Sequence, residues 1–424
     1  MLDDDEKATL FRALSALGLG WYLVMWVLVS IGAIAARRRY RYRPVEHLRF
    51  NPTSESPGVS ILRPLKGLDA NLYTNLESTF RQEYPNLEII FSVDNERDQA
   101  LPVVNELLSL YPNVNARVVI GAEDVGVNPK VNNLVRSYRI AAHDILWVLD
   151  SNVFVDPGTL ARAVEVLTAP KSPKQRRIAV IHHVPFVDSC GSFWGSRIEA
   201  AFLNTTHAKM YIAINALAVD SCVVGKSNLY RRSDVDRVDG SRKPADAMDL
   251  PDRKTGFATF GRFLAEDNMI ASALWHELGL RHDLSTDVAH NVVGNMTLAD
   301  WFWRRVRWIR VRKYMVFSAT ILEPFTESIV FAILASYASN YLFNVPKLAF
   351  ILAHFVAWFL LDLDVYASLS GQNNPILIDH WFILAWLIRE TTCIPIYFFA
   401  VFGSVVTWRG KHYRIRRNGE AALA

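Results

Sequence analysis

Long apolar segments at the two ends of the chain enclose a polar middle. Residues 13–36 form a nearly uncharged run of about 24 residues, and three more apolar stretches cover 315–343, 348–369 and 381–408. A helix of about 20 apolar residues is long enough to cross the hydrocarbon core of a bilayer, roughly 30 Å thick. The pattern therefore predicts an N-terminal transmembrane helix and a C-terminal helical membrane region.

Charges on either side of the first apolar run predict its orientation. Acidic residues precede the run, and it is followed by the arginines Arg37, Arg38, Arg39, Arg41 and Arg43. A run of this length with an acidic leader is a membrane span rather than a cleaved signal peptide. Because positive charge marks the cytosolic side, residues 1–12 are expected outside or in a lumen, and the polar middle in the cytosol.

The C-terminal apolar stretches leave the number of crossings open. Three simple crossings would place the basic tail, residues 409–424, on the lumenal side, against the same charge rule. Glu323-Pro324 and Arg389-Glu390 interrupt two of the stretches. A re-entrant helix, an interfacial helix or a split pair of helices would each remove the conflict.

Between residue 59 and about residue 290, short β-rich runs alternate with helical patterns. This alternation predicts an α/β domain with a mainly parallel sheet flanked by helices. The strand candidates are Val59–Pro64, Leu87–Val93, Ala116–Ile120, Ile145–Leu149, Ile178–His182 and a run near residues 221–225. Lys66, Asp94 and Asp150 lie just beyond strand ends, where open α/β sheets bind ligands.

Other segments of the middle are less specific. Neither a GxGxxG motif nor a P-loop is present, so the usual dinucleotide and NTPase phosphate cradles are absent. The polar segment 233–259 predicts either a solvated loop or a substrate lid.

Composition supports a membrane enzyme rather than a nucleic-acid binder. The 424 residues are 51% hydrophobic with a mean hydropathy of +0.12, and the net charge is +4. The arginines cluster beside the apolar segments, which favours membrane lipids over nucleic acid as partners. The three cysteines, Cys190, Cys222 and Cys393, are too scattered for a disulfide framework or a zinc site.

Three polar signatures suggest transfer from a nucleotide sugar. Asp150 ends an apolar strand, where a carboxylate can meet a divalent cation and a diphosphate. Glu266-Asp267 offers a base for an acceptor hydroxyl, and the cations of RRVRW offer partners for phosphate charge. The competing interpretation of Asp150 is a strand-end turn, and that of Glu266-Asp267 is a pair of acids at a helix N-terminus. The RRVRW segment is alternatively an interfacial amphipathic helix with snorkelling arginines.

Seven segments together carry a family resemblance. They are SILRPLKGLDANLYTNLES, YPNLEIIFSVDN, VGVNPKVNNL, ILWVLDSN, FLAEDNMIA, RRVRW and TWRGKHYRIRR. They resemble the ceramide glucosyltransferases, glycosyltransferase family 21, over nearly the whole chain. The resemblance implies a GT-A type, Rossmann-like nucleotide-sugar domain. It also implies inverting transfer of glucose from UDP-glucose to the primary hydroxyl of ceramide, giving β-glucosylceramide and UDP. The implied location is the Golgi membrane, multi-pass, with the catalytic domain facing the cytosol.

The resemblance implies roles for the acidic residues. Asp267 matches the family's proton acceptor, and Glu266 orients it or the donor. Asp150 matches a metal-binding aspartate, for Mg²⁺ or Mn²⁺, although Asp150-Ser151-Asn152 lacks the second carboxylate of a DxD motif. Asp94 is expected at the uracil or ribose, although Asn95 occupies the aligned position.

Basic and aromatic residues complete the implied site. Arg304, Arg307 and Trp308 match an RxxRW motif, and Arg304 and Arg307 share a helical face that can bind a diphosphate. Lys66 and Lys130 are candidates for phosphate or uridine. A solvated lysine is the alternative for both, and it carries equal weight only for Lys66. His207 matches a family position near the donor or inhibitor site, and Cys222 matches a reactive-thiol position. The alternative for both residues is a structural role.

These inferences divide the chain into six segments. They are a lumenal N-terminus 1–12, a transmembrane helix 13–36, a glycosyltransferase domain 37–300, an interfacial helix 301–314, membrane helices 315–408 and a basic tail 409–424. Two alternatives remain for the function. One is a GT-A membrane glycosyltransferase for another lipid or a polysaccharide, and the other is a non-catalytic scaffold or transporter.

Overall fold

The computed structural model describes residues 3–41, 56–169, 175–243, 254–371 and 380–424. Arg43 and the centre of the predicted 233–259 loop lie outside the described residues.

An eight-stranded sheet forms the centre of the polar domain, in the order β3-β2-β1-β4-β7-β6-β8-β5. The strands are β1 Val59–Pro64, β2 Leu87–Val93, β3 Ala116–Ile120, β4 Ile145–Leu149, β5 Val153–Phe154, β6 Ile178–Cys190, β7 Ser227–Arg231 and β8 Arg281–Val293. The strands β3, β2, β1 and β4 pair in parallel with one another, and β6 is parallel to β8. Strand β7 is antiparallel to both β4 and β6, and β5 is antiparallel to β8. The prediction of a mainly parallel sheet thus holds for one half, and the other half is mixed.

The first four predicted strands are confirmed residue for residue, and the fifth continues to Cys190. Both faces of β1, β2 and β4 are buried: Ile61 and Ile89 pack on one side of the sheet, and Leu62 and Ile90 on the other. Burial on both faces explains their continuous apolar sequences. The strand predicted near residues 221–225 is wrong. Residues 221–224 form an irregular loop, a turn follows at 225–226, and the strand beside β4 begins at Ser227.

Helices cover both faces of the sheet. They are α2 Leu72–Phe80, α3 Leu101–Leu110, α4 Pro129–Ile140, α5 Thr159–Thr168, α6 Trp194–Phe202, α7 Ala208–Leu217, α8 Arg232–Val235 and α9 Glu266–His276. A π-helical turn, Leu203–His207, joins α6 to α7, and a 3₁₀ turn, Phe257–Arg262, precedes α9. π-Helical turns of this kind are frequent at functional sites.

The first membrane helix, α1, extends from Asp4 to Ala36 and continues as a π-helical turn through Arg41. It begins earlier than the apolar run because Asp3 and Glu6 form a capping box at its N-terminus. The helix α10, Leu298–Arg312, overlaps the predicted interfacial helix, and Thr297 and Asp300 cap it in the same way.

Four further helices follow α10: α11 Phe317–Thr326, α12 Ser328–Phe343, α13 Lys347–Ser370 and α14 His380–Val401. Helices α1, α13 and α14 are each long and apolar enough to cross a membrane, and α11 and α12 form one pair bent by 57°. These helices are the features of a membrane protein. The predicted combination of an α/β domain with N- and C-terminal membrane helices is confirmed.

The C-terminal tail is a small antiparallel sheet of β9 Val405–Trp408, β10 Lys411–Ile415 and β11 Ala421–Leu423. Its buried residues pack against Val127, Leu264 and Val311, which belong to the polar domain and α10. Arg262 and Glu420 also form an ion pair at 3.2 Å. The tail is therefore a folded part of the domain surface.

Candidate active site

The end of β4 and the start of α4 bring a carboxylate and a lysine together. Asp150 follows β4, and Lys130 is the second residue of α4. The Lys130 ammonium lies 2.9 Å from Asp150 Oδ1 and 3.0 Å from Glu266 Oε1. Burial alone would lower the pKa of Lys130, but Asp150, Glu266 and Asp267 outweigh it and hold that pKa well above its ordinary value. Lys130 therefore stays charged between two carboxylates.

The Asn128 side chain connects the start of α4 to Glu266. Its Oδ1 accepts a hydrogen bond from the Lys130 backbone N–H at 2.8 Å, which caps α4. Its amide nitrogen donates to Glu266 Oε2 at 2.7 Å and to the Phe263 carbonyl at 2.8 Å. One buried side chain thus sets the start of α4 and the position of Glu266 at the start of α9.

The protonation of the Asp267 carboxyl changes near neutral pH. Burial first and the neighbouring Glu266 second raise its pKa to about 7, while Lys130 opposes the rise. Its Oδ1 accepts a hydrogen bond from the Asn268 N–H at 2.7 Å. A pKa near the working pH is what a general base requires.

A glycine makes room for the Asp267 carboxylate. A Cβ added at Gly225 would lie 1.1 Å from Asp267 Oδ2, so this position accepts no larger residue unless Asp267 moves. Lys130, Gly225, Glu266 and Asp267 line a pocket whose walls include apolar side chains such as Phe257. The pocket thus offers a base in a partly apolar, partly charged environment.

Lys226, which the sequence analysis did not identify, lies on the other side of Asp150. Its ammonium is 2.9 Å from Asn152 Oδ1 and 3.2 Å from Asp150 Oδ2. Burial opposes ionisation of Asp150, but Lys130 and Lys226 outweigh it and lower the Asp150 pKa. The contact exists because β7 pairs with β4 so that Ser227 faces Leu149, which places Lys226 beside Asp150. The sequence carries no signal for this pairing.

The oxygens around Lys226 fit a divalent cation. Carboxylate and amide oxygens are the ligands that Mg²⁺ and Mn²⁺ prefer, and Asp150 and Asn152 present one of each to the same positive charge. The Lys226 ammonium stands in for such a cation. Within the described ranges, no group of three or more His, Cys, Asp or Glu residues could hold a metal. Further ligands would therefore have to come from the substrate or from water.

Lys66 and Asp94 form a separate ion pair at the ends of β1 and β2. The two charged groups are 2.9 Å apart, and each side chain is 43% exposed. Lys66 lowers the pKa of Asp94. The neighbouring Asn95 turns back to accept the Arg97 N–H at 3.0 Å. Asp94, rather than Asn95, therefore interacts with the lysine at this edge of the sheet, beside the strand that carries Asp150.

The RxxRW residues lie on α10 and face α6. Arg304 pairs with the buried Glu199 at 2.7 Å, and its guanidinium lies 5.1 Å from the centre of the Trp308 ring. Arg307 makes no hydrogen bond or ion pair within the described part of the chain. Burial lowers its pKa to about 10, so it remains charged at neutral pH. Of the two predicted phosphate ligands, Arg307 is thus the less engaged.

Two neighbours of this motif were missed. Arg305 is buried, and its guanidinium lies 4.1 Å from the ring centres of both Phe202 and Trp308. Glu199 is fully buried and receives both arginines. The predicted face of Arg304 and Arg307 is therefore only part of the contact between α10 and α6.

His207 lies beside this motif, and Cys222 lies beside α7, where Asn215 donates to its carbonyl. The His207 ring stacks on Tyr211 at 5.5 Å and lies 6.0 Å from Trp308. Burial lowers the pKa of His207 to about 3, so the ring is neutral. Burial raises the pKa of Cys222 to about 12, which keeps the thiol protonated and argues against a reactive thiol.

Similar proteins decide the family. The family model described as "Glycosyl transferase family 21" matches residues 22–421 of this chain. This chain belongs to glycosyl transferase family 21. It is therefore a glycosyltransferase, and the predicted enzyme class is confirmed over a non-catalytic scaffold or transporter.

Named relatives within family 21 match over nearly their whole lengths. The ceramide glucosyltransferase of Komagataella phaffii is 33% identical, covering 95% of this chain and 90% of that protein. The ceramide glucosyltransferase of Candida albicans is 30% identical, covering 97% and 98%. Among solved structures, a mannosyltransferase from Pyrobaculum calidifontis in complex with GDP-Man and Mn²⁺ is 16% identical. Its TM-score is 0.45, and the match covers 89% of this chain and 98% of that one.

Proposed function

We propose that this chain transfers glucose from UDP-glucose to the primary hydroxyl of ceramide, with inversion, giving β-glucosylceramide and UDP. The observation that carries the proposal is Asp267, a carboxyl with a pKa of about 7 that lines a pocket beside Lys130 and Asp150. Support for the acceptor comes from the relatives named ceramide glucosyltransferase, which match almost end to end.

In this mechanism Asp267 takes the proton of the ceramide hydroxyl. The hydroxyl oxygen forms its bond to the anomeric carbon of glucose from the face opposite UDP. The bond from that carbon to the phosphate oxygen breaks, and its electron pair leaves with UDP. Gly225 allows the carboxylate to sit against the backbone, and burial together with Glu266 keeps the Asp267 pKa high enough for the proton to be accepted near neutral pH.

Positive groups around the pocket are assigned to the donor. Lys130, Arg304 and Arg307 face the diphosphate, because fixed cations stabilise the charge that develops on the leaving phosphate. Asp150 and Asn152 would hold Mg²⁺ or Mn²⁺, which, when bound, neutralises diphosphate charge. Lys66 and Asp94 are assigned to the uridine, at the neighbouring strand ends.

The acceptor side is assigned to Trp308 and His207. The neutral imidazole and the indole lie at the junction of α6, α7 and α10, next to the membrane helices. Ceramide is too apolar to arrive through water, so lateral entry from the bilayer suits this position. We place the catalytic domain on the cytosolic face of the Golgi membrane, with the basic turn at Arg37–Arg41 on the same side.

A direct test compares wild type and Asp267→Asn in lipid micelles. Each is supplied with UDP-glucose and one acceptor, either ceramide, dolichyl phosphate or diacylglycerol, and both the glycolipid and UDP are measured. We expect a β-linked product from ceramide only, with loss of that product in Asp267→Asn and retention of UDP binding. Asp5→Asn, which removes an exposed carboxylate on α1, serves as the matched control and should behave as wild type.

Each other outcome has a separate meaning. Product from dolichyl phosphate or diacylglycerol, but not ceramide, would replace the proposed acceptor. An α-linked product would contradict inversion. Full activity of Asp267→Asn would remove Asp267 as the base while leaving the acceptor assignment intact.

A further inference from the structure

Lys226 is held by more than its side chain. Its carbonyl accepts the Asp150 N–H at 3.0 Å, and its own N–H donates to the Val224 carbonyl at 3.0 Å. The side chain is only 15% exposed. The backbone of Lys226 is thus held beside Asp150 by the turn that leads into β7.

The two lysines at Asp150 are not equivalent. Lys130 contacts both Asp150 and Glu266, so it keeps a carboxylate partner if Asp150 is engaged elsewhere. Lys226 contacts Asp150 and the neutral amide of Asn152. A divalent cation that takes the oxygens of Asp150 and Asn152 therefore displaces Lys226 from both contacts.

A displaced ammonium needs another anion, because a buried charge without a partner is costly. Lys130, 2.9 Å from the same aspartate, and Lys226 together bring positive charge from two side chains to Asp150. Two neighbouring cations match the charge of a nucleotide diphosphate. A diphosphate would thus provide the partner that Lys226 loses.

We propose that Lys226 occupies the divalent-cation position in the donor-free protein and moves to the donor diphosphate when cation and nucleotide bind. The inference rests on the proposed nucleotide-sugar donor and adds a donor-site residue to it. Its consequence is positive coupling: the nucleotide favours cation binding by giving Lys226 a new partner, and the cation favours nucleotide binding to the same extent.

The test measures Mn²⁺ binding by electron paramagnetic resonance, with and without saturating UDP, and UDP binding by calorimetry. For wild type we expect UDP to tighten Mn²⁺ binding about tenfold, within the roughly 5- to 150-fold range of such couplings. Lys226→Met should bind Mn²⁺ more tightly than wild type when UDP is absent, because the competing ammonium is gone. The same variant should bind UDP more weakly, and the coupling should decrease.

These opposite changes separate the inference from a merely structural role, which would weaken both ligands. Lys226→Arg keeps the charge and should keep most of the coupling. Lys7→Met is the matched control, because Lys7 also pairs with an aspartate, Asp4 at 2.8 Å, but at an exposed site on α1. It should behave as wild type. If thermal unfolding shows that Lys226→Met is not folded, Lys226→Gln replaces it.

The failures are distinguishable. If wild type binds Mn²⁺ but not UDP, the proposed donor is wrong. If wild type binds both and the uncharged Lys226 variant binds both as wild type does, or binds both more weakly, the assignment of Lys226 is wrong.

Discussion

At the scale of single residues, the activity depends on the charge of Asp267. This carboxyl is surrounded by opposing influences: burial and Glu266 raise its pKa, and Lys130 lowers it. Only the deprotonated form can accept a proton from the acceptor hydroxyl. The balance between Glu266 and Lys130 therefore sets the pH at which the site becomes active.

The first prediction is the pH dependence of kcat/KM. Because the Asp267 pKa is about 7 and the base must be ionised, kcat/KM should be low below this pH and rise through it. Glu266→Gln removes a charge that raises the pKa, so the rise should shift to lower pH. Lys130→Met should shift it to higher pH. Asp267→Asn should lower kcat by ~10²–10⁴-fold and abolish the rise. Shifts of both variants in one direction would contradict this arrangement.

The second prediction concerns Gly225. Alanine at this position would place a methyl group 1.1 Å from the Asp267 carboxylate, so the carboxylate must move. A displacement of about 1 Å can cost ~10²-fold in rate, and we expect a loss of that order in kcat. The matched control is Gly20→Ala in α1, where an added Cβ has no neighbour within 4 Å. A wild-type rate for Gly225→Ala would show that Asp267 is not the positioned base.

Sequence reasoning found residues whose chemistry follows from a local pattern, and missed those defined by distant partners. Asp150 was identifiable because it ends an apolar strand. Lys226 was not, because its position depends on the pairing of β7 with β4 across intervening elements. Arg305 was missed for a related reason: its partners Phe202 and Glu199 lie on another helix.

At the scale of elements, a buried ion pair joins the catalytic domain to the membrane helices. The Lys209 ammonium on α7 lies 2.8 Å from Asp362 Oδ1 on α13, and both side chains are fully buried. Trp386 on α14 donates to the other Asp362 oxygen at 2.9 Å. The Lys209 ammonium is also 3.6 Å from the centre of the Trp358 ring. Three elements are thus tied together at one point.

The third prediction follows from this pair. Lys209→Met or Asp362→Leu leaves a buried charge without its partner, which costs about 3–5 kcal/mol of stability. The double variant removes both charges, so it should lose less stability than the sum of the two single variants. Thermal unfolding in detergent measures the difference. Lys7→Met, at an exposed ion pair, should change stability by less than about 1 kcal/mol. Additive losses would show that the two charges do not interact.

An element could be predicted from the sequence where its buried positions are apolar. Strands β1, β2 and β4 are apolar because helices cover both faces, and their limits were readable from the sequence. Strand β8 was missed because its sequence, RHDLSTDVAHNVV, is polar although most of it is buried. Its polar groups are paired inside the fold: Arg162 bonds Asp287 at 2.7 Å, and His290 contacts Asp156 at 3.1 Å.

At the scale of the whole molecule, contacts between distant segments bear on how many times the chain crosses the membrane, which the sequence left open. The C-terminal end of α12 lies beside the start of α1, where the Tyr341 hydroxyl contacts the Ala8 carbonyl at 3.4 Å. The end of α13 lies beside the end of α1, where Arg37 pairs with Asp364 at 2.6 Å. Helices α1, α12 and α13 therefore run alongside one another between two opposite ends.

Helix α14 behaves differently, because both of its ends contact the catalytic side. Near its start, the Trp381 ring packs on Trp194 of α6 at 5.3 Å. At its end, the Lys313 ammonium beyond α10 donates to the Val401 carbonyl at 2.6 Å. We infer that α14, although long and apolar enough to cross, lies along the catalytic face of the membrane and does not cross it. The basic tail then stays on the catalytic side, in agreement with its charge.

The fourth prediction tests this topology with single cysteines in a variant lacking Cys190, Cys222 and Cys393. Asn418→Cys in the tail and Val345→Cys between α12 and α13 are treated with a membrane-impermeant maleimide in sealed vesicles of known orientation. If α14 does not cross, Asn418→Cys reacts only from the side of the catalytic domain and Val345→Cys only from the opposite side. A crossing α14 would separate the tail from the domain and expose both cysteines on one side. That outcome would also be incompatible with the Arg262–Glu420 ion pair and with the packing of the tail against Val311, because both require the tail and the domain to share one side of the membrane.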